Sequence, residues 1–313
     1  MSGSMRSLRL VWLGARVSAH ISQRLAAIFA WRLWFTPWRV ELSERARARE
    51  AAWLAGTTPL RIPFGGGQLA GFCAGDGPTV LLVHGWSDRA SRLGAFVEPL
   101  VASGFRAVAV DLPAHGDSPG RMTNAYEAAE ALQSVSEHLG GVYGVVAHSM
   151  GGAETLLAIR EGFAPERVVL LASAVRLRHA VDQFSAMFGL PRATMTALSA
   201  AIERRFGSQV WDDLSADRIA AHLGDIPALL FHDGDDTQVT RKDAELLASA
   251  WPGARLVTTS GLGHDRLLRD PDVVQQAVAF LYEGSRAPED SAVEQDDLKV
   301  TATPRAVARN TAP

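Results

Sequence analysis

Three residues far apart in the chain have the types needed to make an alcohol attack a carbonyl carbon. They are Ser149 in "VVAHSMGG", Asp236 in "LLFHDGDDTQV" and His264 in "SGLGHDRLL". A serine hydroxyl is a weak nucleophile at neutral pH. It needs a base within hydrogen-bond reach, and an acid that orients and charge-balances that base. Ser149 lies between an apolar run and two glycines, with Ala147 two residues before it and Gly151 two after. Small residues at those places suit a sharp strand-to-helix turn, where larger side chains would collide. The motif G-x-S-x-G thus reads A-H-S-M-G, with alanine as the least costly replacement for the first glycine. The competing reading is a buried structural hydroxyl at a strand end.

His264 is the candidate base because Gly261 and Gly263 flank it in a loop between a strand and the last helix. The remaining histidines fit structural places. His20, His138, His179 and His222 fall in helical or inserted segments, and His148 and His232 at strand ends. Asp236 is the preferred acid, since its D-x-x-V spacing to Val239 puts it at a loop bend before the next helix. Asp235 and Asp111 remain weaker alternatives, and aspartates clustered after a strand commonly form turns. Attack on a carbonyl also requires N–H donors aimed at the oxyanion. Met150 would supply one at a helix start, where the dipole favours negative charge. Trp86 would supply the other, after His84 and Gly85, with Gly85 letting the backbone come close. His148 and Gly151 complete the supporting turn.

The elements that must hold these groups can be read from hydrophobic pattern. Strands are expected near 59–63 and 68–73, split by a "GGG" turn. From residue 79 the chain alternates strands and helices, through "TVLLVHG", "RAVAVDLPAHG", "GVYGVVAHS", "ERVVLLASA", "PALLFH" and "ARLVTTSG". That alternation implies βαβ units and a mostly parallel sheet. Residues 175–225 break the rhythm as a helical insert, read as a cap over the C-terminal edge of the sheet. Its apolar residues include Val181, Phe184, Met187, Phe188, Leu190, Met195, Leu198, Ile202 and Phe206. The expected division is a helical extension over 1–57, a main domain over 58–284 and a disordered tail over 285–313.

Composition narrows the partners. The net charge of −3 over 313 residues gives no general attraction to nucleic acid. The single cysteine, Cys73, excludes an internal disulfide and suits a reducing, cytoplasmic setting. No Cys/His cluster has zinc spacing. Residues 1–40 carry Arg6, Arg9, Arg16, Arg24, Arg32 and Arg39 with no acid, and five of the eight tryptophans fall in the first 53 residues. The arginines interrupt every apolar run before the ~18 residues that a spanning helix requires. This segment therefore reads either as an arm docked on the core or as a peripheral membrane contact through residues 1–40.

The order Ser149…Asp236…His264, with "LLVHGW", "DLPAHGDS", "AHSMGG" and "GLGH", resembles the α/β-hydrolase fold superfamily over about residues 58–283. It departs from the usual pattern at Ala147, Asp233 and Ala114, where glycine is common. The resemblance implies a mostly parallel central sheet flanked by helices, with a helical cap insertion and an N-terminal helical extension. Serine rather than aspartate at the nucleophile position argues against haloalkane dehalogenase or epoxide hydrolase chemistry. It points to a small-molecule acyl substrate, first an ester, cleaved by a Ser-His-Asp triad through an acyl-enzyme with no metal or cofactor. Thioesterase and C–C bond hydrolase activities, and a non-catalytic binding or signalling protein, are the alternatives.

Overall fold

The computed structural model describes residues 22–38, 42–173 and 176–285. The expected disordered tail and the part of the arm before Ser22 lie outside the described residues. Two helices open the described chain: α1 (Gln23–Phe35) and α2 (Glu44–Trp53). Ser22 and Ser43 cap them, each accepting a backbone N–H of the first turn. A hairpin of β1 (Thr58–Phe64) and β2 (Gly67–Ala74) follows.

The alternating part then runs through β3 (Thr79–Val83), α3 (Val97–Ala102), β4 (Arg106–Val110), α4 (Ala125–Leu139), β5 (Gly144–His148), α5 (Met150–Arg160) and β6 (Arg167–Leu171). After the insert come β7 (Ala228–Asp233), α10 (Arg241–Ala250), β8 (Ala254–Thr259), the single turn α11 (Gly263–Arg266) and α12 (Pro271–Ser285). The insert itself holds α6 (Leu177–Phe188), α7 (Arg192–Phe206), α8 (Val210–Asp213) and α9 (Ala216–Ile219). The helix expected over "RLGAFVEPLVASG" begins as a 3-10 segment, Ala90–Phe96, before it becomes α3.

The strands form one sheet in the order β1-β2-β4-β3-β5-β6-β7-β8, antiparallel at β1-β2-β4 and parallel from β4 onward. Every residue of β3 and β5 is buried, as runs covered on both faces must be. Leu81, Val83, Val145 and Leu170 face α4, α5 and the insert. Leu82, Val146 and Phe231 face α3 and α12. Burying each such side chain contributes about 1.5–3 kcal/mol. Register decides the rest. Val83 pairs with Ala147, and His148 with Leu171, so β3, β5 and β6 end side by side. Asp233 pairs with Thr259, which brings the loops after β7 and β8 together.

The insert is tied down at both sides of that edge. Asp213 accepts the Tyr126 hydroxyl at 2.5 Å and pairs with Arg160, joining α8 to α4 and α5. Asp243 on α10 pairs with Arg176 at 3.1 Å and His179 at 2.8 Å, both at the start of α6.

Candidate active site

Ser149 occupies the hinge between β5 and α5 with φ 52° and ψ −125°. A non-glycine residue reaches that region only when its surroundings hold it there. Its N–H donates to Leu171 C=O at 2.9 Å, which fixes the turn against β6. A Cβ at Gly151 would lie 2.3 Å from the His84 oxygen, and one at Gly152 would lie 2.0 Å from Ser173 Oγ. The two glycines are therefore required by packing. Ala147 is fully buried in β5, so a methyl fits where the motif usually has glycine.

The imidazole of His264 bridges the serine and Asp236. Its Nε2 stands 3.0 Å from Ser149 Oγ and its Nδ1 2.8 Å from Asp236 Oδ2. With Nδ1–H donating to the carboxylate, Nε2 accepts the serine proton. His264 lies at the start of α11 rather than in an open loop, because Gly261 (φ 80°) and Gly263 (φ 62°) turn the chain straight into a helical turn. The other oxygen of Asp236 accepts the N–H groups of Gln238 at 2.7 Å and Val239 at 3.0 Å. Burial pushes this carboxyl up. The hydrogen bonds from His264 and the Val239 and Gln238 backbone outweigh burial and hold it below the usual carboxylate range.

The other acids stand apart from the imidazole. Asp235 Oδ2 takes the Gly261 N–H at 2.7 Å. Asp111 takes the N–H groups of Ala90 at 2.7 Å and Asp117 at 2.8 Å. Asp233 does something its sequence position did not reveal. Its Oδ2 accepts the Thr259 hydroxyl at 2.7 Å and the Leu262 N–H at 3.0 Å, while Oδ1 accepts the Asp235 N–H at 2.9 Å. One buried carboxylate thus clips the loop of the acid to the loop of the base. The only available signal was a third aspartate in a place where glycine is common.

Neutral histidines support the turn. His84 donates from Nδ1 to Gly85 C=O at 2.7 Å and accepts the Leu112 N–H at Nε2, 3.0 Å; burial pulls its pKa down to about 4. His115, part of "DLPAHGDS" but not singled out from sequence, accepts the Ser87 N–H at 3.0 Å; burial pulls its pKa to about 3. His148 donates from Nε2 to the His264 carbonyl at 3.2 Å, and its ring lies 4.7 Å from that of His264. Burial and the neighbouring His264 pull His148 to about 3. A Cβ at Gly85 would come within 2.9 Å of Ser149 Cβ, so the loop after β3 passes directly against the serine. Among the described residues, the N–H groups of Trp86 and Met150 have no acceptor.

A cavity of about 680 Å³ opens at Ser149 and His264. Tyr126, Met150, Phe184, Met187, Phe188, Ile202 and Phe206 line it, together with Leu33, Trp34, Phe35 and Trp38 from the amino-terminal segment. Trp31 stacks near Phe206 at 6.5 Å, Trp34 meets Phe184 edge-on at 5.0 Å and Trp38 meets Phe188 at 5.2 Å. For residues 22–38 the docked arm is therefore what the structure shows. The membrane expectation for residues 1–40 rests on arginines and tryptophans together, of which Arg6, Arg9, Trp12, Arg16 and Arg39 lie outside the described residues. Among the described residues no helix is long and apolar enough to cross a membrane, and no cluster of His, Cys, Asp and Glu could hold a metal ion.

Comparison with known proteins agrees with this architecture. Residues 80–277 match the sequence model of the alpha/beta hydrolase family. A pimeloyl-[acyl-carrier protein] methyl ester esterase of Nitrosomonas europaea is 35% identical over 103 residues, covering 32% of this chain and 38% of that protein. The dihydrolipoyllysine-residue acetyltransferase component of an acetoin cleaving system of Pseudomonas putida is 36% identical over 127 residues, covering 38% and 34%. The chain spans only 30% to 38% of the length of the curated relatives it matches. An esterase of Pyrococcus furiosus superposes with a TM-score of 0.59 at 19% identity, over 80% of this chain and 97% of that one. A monoacylglycerol lipase of Paleococcus ferrophilus superposes with a TM-score of 0.54 at 23% identity, over 69% and 99%. At such identities the superpositions show the shared fold.

Proposed function

Since the chain belongs to the alpha/beta hydrolase family, we propose that it is a serine hydrolase that cleaves a carboxylic ester with an apolar acyl group. Ser149 Oγ attacks the carbonyl carbon while His264 Nε2 takes its proton. Asp236 keeps the imidazole in the required tautomer and stabilises the imidazolium. The carbonyl electron pair moves onto oxygen, where the N–H groups of Trp86 and Met150 receive it at the start of α5. His264 then protonates the departing alcohol. Water, deprotonated by the same imidazole, attacks the acyl-enzyme and releases the acid.

The observation that carries this reading is the pair of hydrogen bonds through one imidazole, 3.0 Å to Ser149 and 2.8 Å to Asp236. The free Trp86 and Met150 donors and the apolar cavity support it, as does the short match to an ester-cleaving relative. In this reading residues 58–284 form the hydrolase domain, about 175–225 its cap, and 1–57 an extension.

Labelling with a fluorophosphonate probe and hydrolysis of p-nitrophenyl esters test the reading. Wild-type protein is expected to label and turn over, and Ser149→Ala to do neither. Full activity in that variant would remove Ser149 from the mechanism. An unlabelled, inactive wild-type protein would favour the binding-protein alternative.

A further inference from the structure

Part of the cavity wall comes from outside both the sheet and the insert. After α1 the chain passes through Pro37 to Trp38, and Trp34 and Trp38 line the cavity in contact with Phe184 and Phe188. Backbone bonds fix this stretch to the core at both ends. Phe35 C=O accepts the Thr123 N–H at 2.9 Å, and the Trp38 N–H donates to Ser87 Oγ at 2.8 Å. Ser87 sits in left-handed backbone, φ 60°, and its own N–H donates to His115 Nε2 at 3.0 Å. It directly follows Trp86, the donor assigned above to the oxyanion. Trp38 therefore belongs to the apolar wall and also holds the loop that passes the reacting serine.

We propose that Trp34 and Trp38 are specificity-determining residues that give the cavity an apolar wall for a long rather than a short acyl group, and that Ser87, bonded to Trp38, is a positioning residue for the Trp86 N–H. This rests on the hydrolase reading and names its substrate class. An acetyl group has almost no apolar surface to place against two indoles, whereas an octanoyl chain has enough to use a cavity of about 680 Å³. Binding energy gained along that chain is available to the transition state at Ser149.

Hydrolysis of p-nitrophenyl acetate, octanoate and palmitate by the full chain tests this. Wild-type protein is expected to prefer octanoate to acetate. Trp34→Ala/Trp38→Ala is expected to lower the octanoate-to-acetate ratio of kcat/KM by about ten-fold, the scale of a few lost apolar contacts. Trp34→Phe/Trp38→Phe keeps an aromatic but smaller wall, for the case in which the alanine variant does not fold. It is expected to lower the same ratio by a smaller factor. An unchanged chain-length profile in a folded variant of either kind overturns the proposal.

Ser87→Ala puts alanine in a backbone region that Ala114 (φ 65°) and Ala172 (φ 46°) already occupy. It is expected to lower kcat for all three esters with KM within about two-fold of wild type. A change confined to KM, or no change, removes the role given to Ser87. Octanoate binding to Ser149→Ala, followed by calorimetry, separates the wall from the hydrolase reading. Binding weakened by loss of the two tryptophans supports the wall even if no ester is cleaved. Binding indifferent to them overturns it even if Ser149 is an active nucleophile.

Discussion

The floor and the inner face of the roof of the cavity are built from different contacts. The floor consists of strand ends and the turns that follow them. There Ser149, His264, Asp236 and Asp233 are fixed by directional bonds of 2.7–3.0 Å. The roof is α1, Trp38 and the insert; polar bonds at Asp213, Asp243, Thr123 and Ser87 anchor its rim, while its inner parts meet through aromatic rings 5.0–6.5 Å apart. A hydrogen bond fails when its partner turns away, whereas rings in contact can slide and repack. Changes in the floor should therefore act on the chemical step, and changes in the roof on which substrate is taken.

The steepest test of that division is at the serine. Ser149→Ala is expected to lower kcat by ~10⁴-fold or more, measured in steady state on any ester the protein cleaves. Asp236→Asn is expected to cost a comparable ~10⁴-fold, because an amide favours the wrong imidazole tautomer. Asp233→Asn removes a charged acceptor of the Leu262 and Asp235 N–H groups and the Thr259 hydroxyl. It touches no reacting atom, so a smaller fall in kcat, about ten-fold, is expected together with a lower melting temperature. A loss in KM instead of kcat there would blur the distinction between floor and roof.

The smallest effects concern stability and pH. Glu154 on α5 is 1% exposed, and burial holds its carboxyl well above the usual 4.5. The folded state keeps a proton that the unfolded state releases, so this residue makes stability fall as pH rises from about 4.5 through the higher folded value. Glu154→Gln is expected to flatten that fall, with a larger gain in urea midpoint at pH 8 than at pH 5. Asp236 has the opposite sign. Its lowered carboxyl contributes stability above the ordinary value of 3.8, lost as pH falls through the folded value.

The floor was largely legible in the sequence because local rules make it. A turn that tight needs small neighbours, and Gly151 and Gly152 announce it around Ser149. The strands appeared as apolar runs, and their alternation with helices fixed the parallel sheet. Asp233 was harder, since an aspartate in a turn looks alike whether it bonds its own loop or a second one. That distinction exists only once β7 and β8 are in register. The same holds for His115 and Ser87, whose bond joins two loops 28 residues apart. The roof was least legible. Trp34 and Trp38 stood out as tryptophans in a basic segment, but contacts with Phe184 and Phe188, some 150 residues later, leave no local pattern.

The wall supplied by Trp34 and Trp38 has a practical consequence for handling the protein. Recombinant fragments are commonly trimmed to the limits of family similarity, here residues 80–277. A fragment cut that way would keep the reactive serine yet discard one side of the chamber above it, along with β1 and β2. Substrate profiles taken from such a fragment would describe a wider vessel than the intact polypeptide forms.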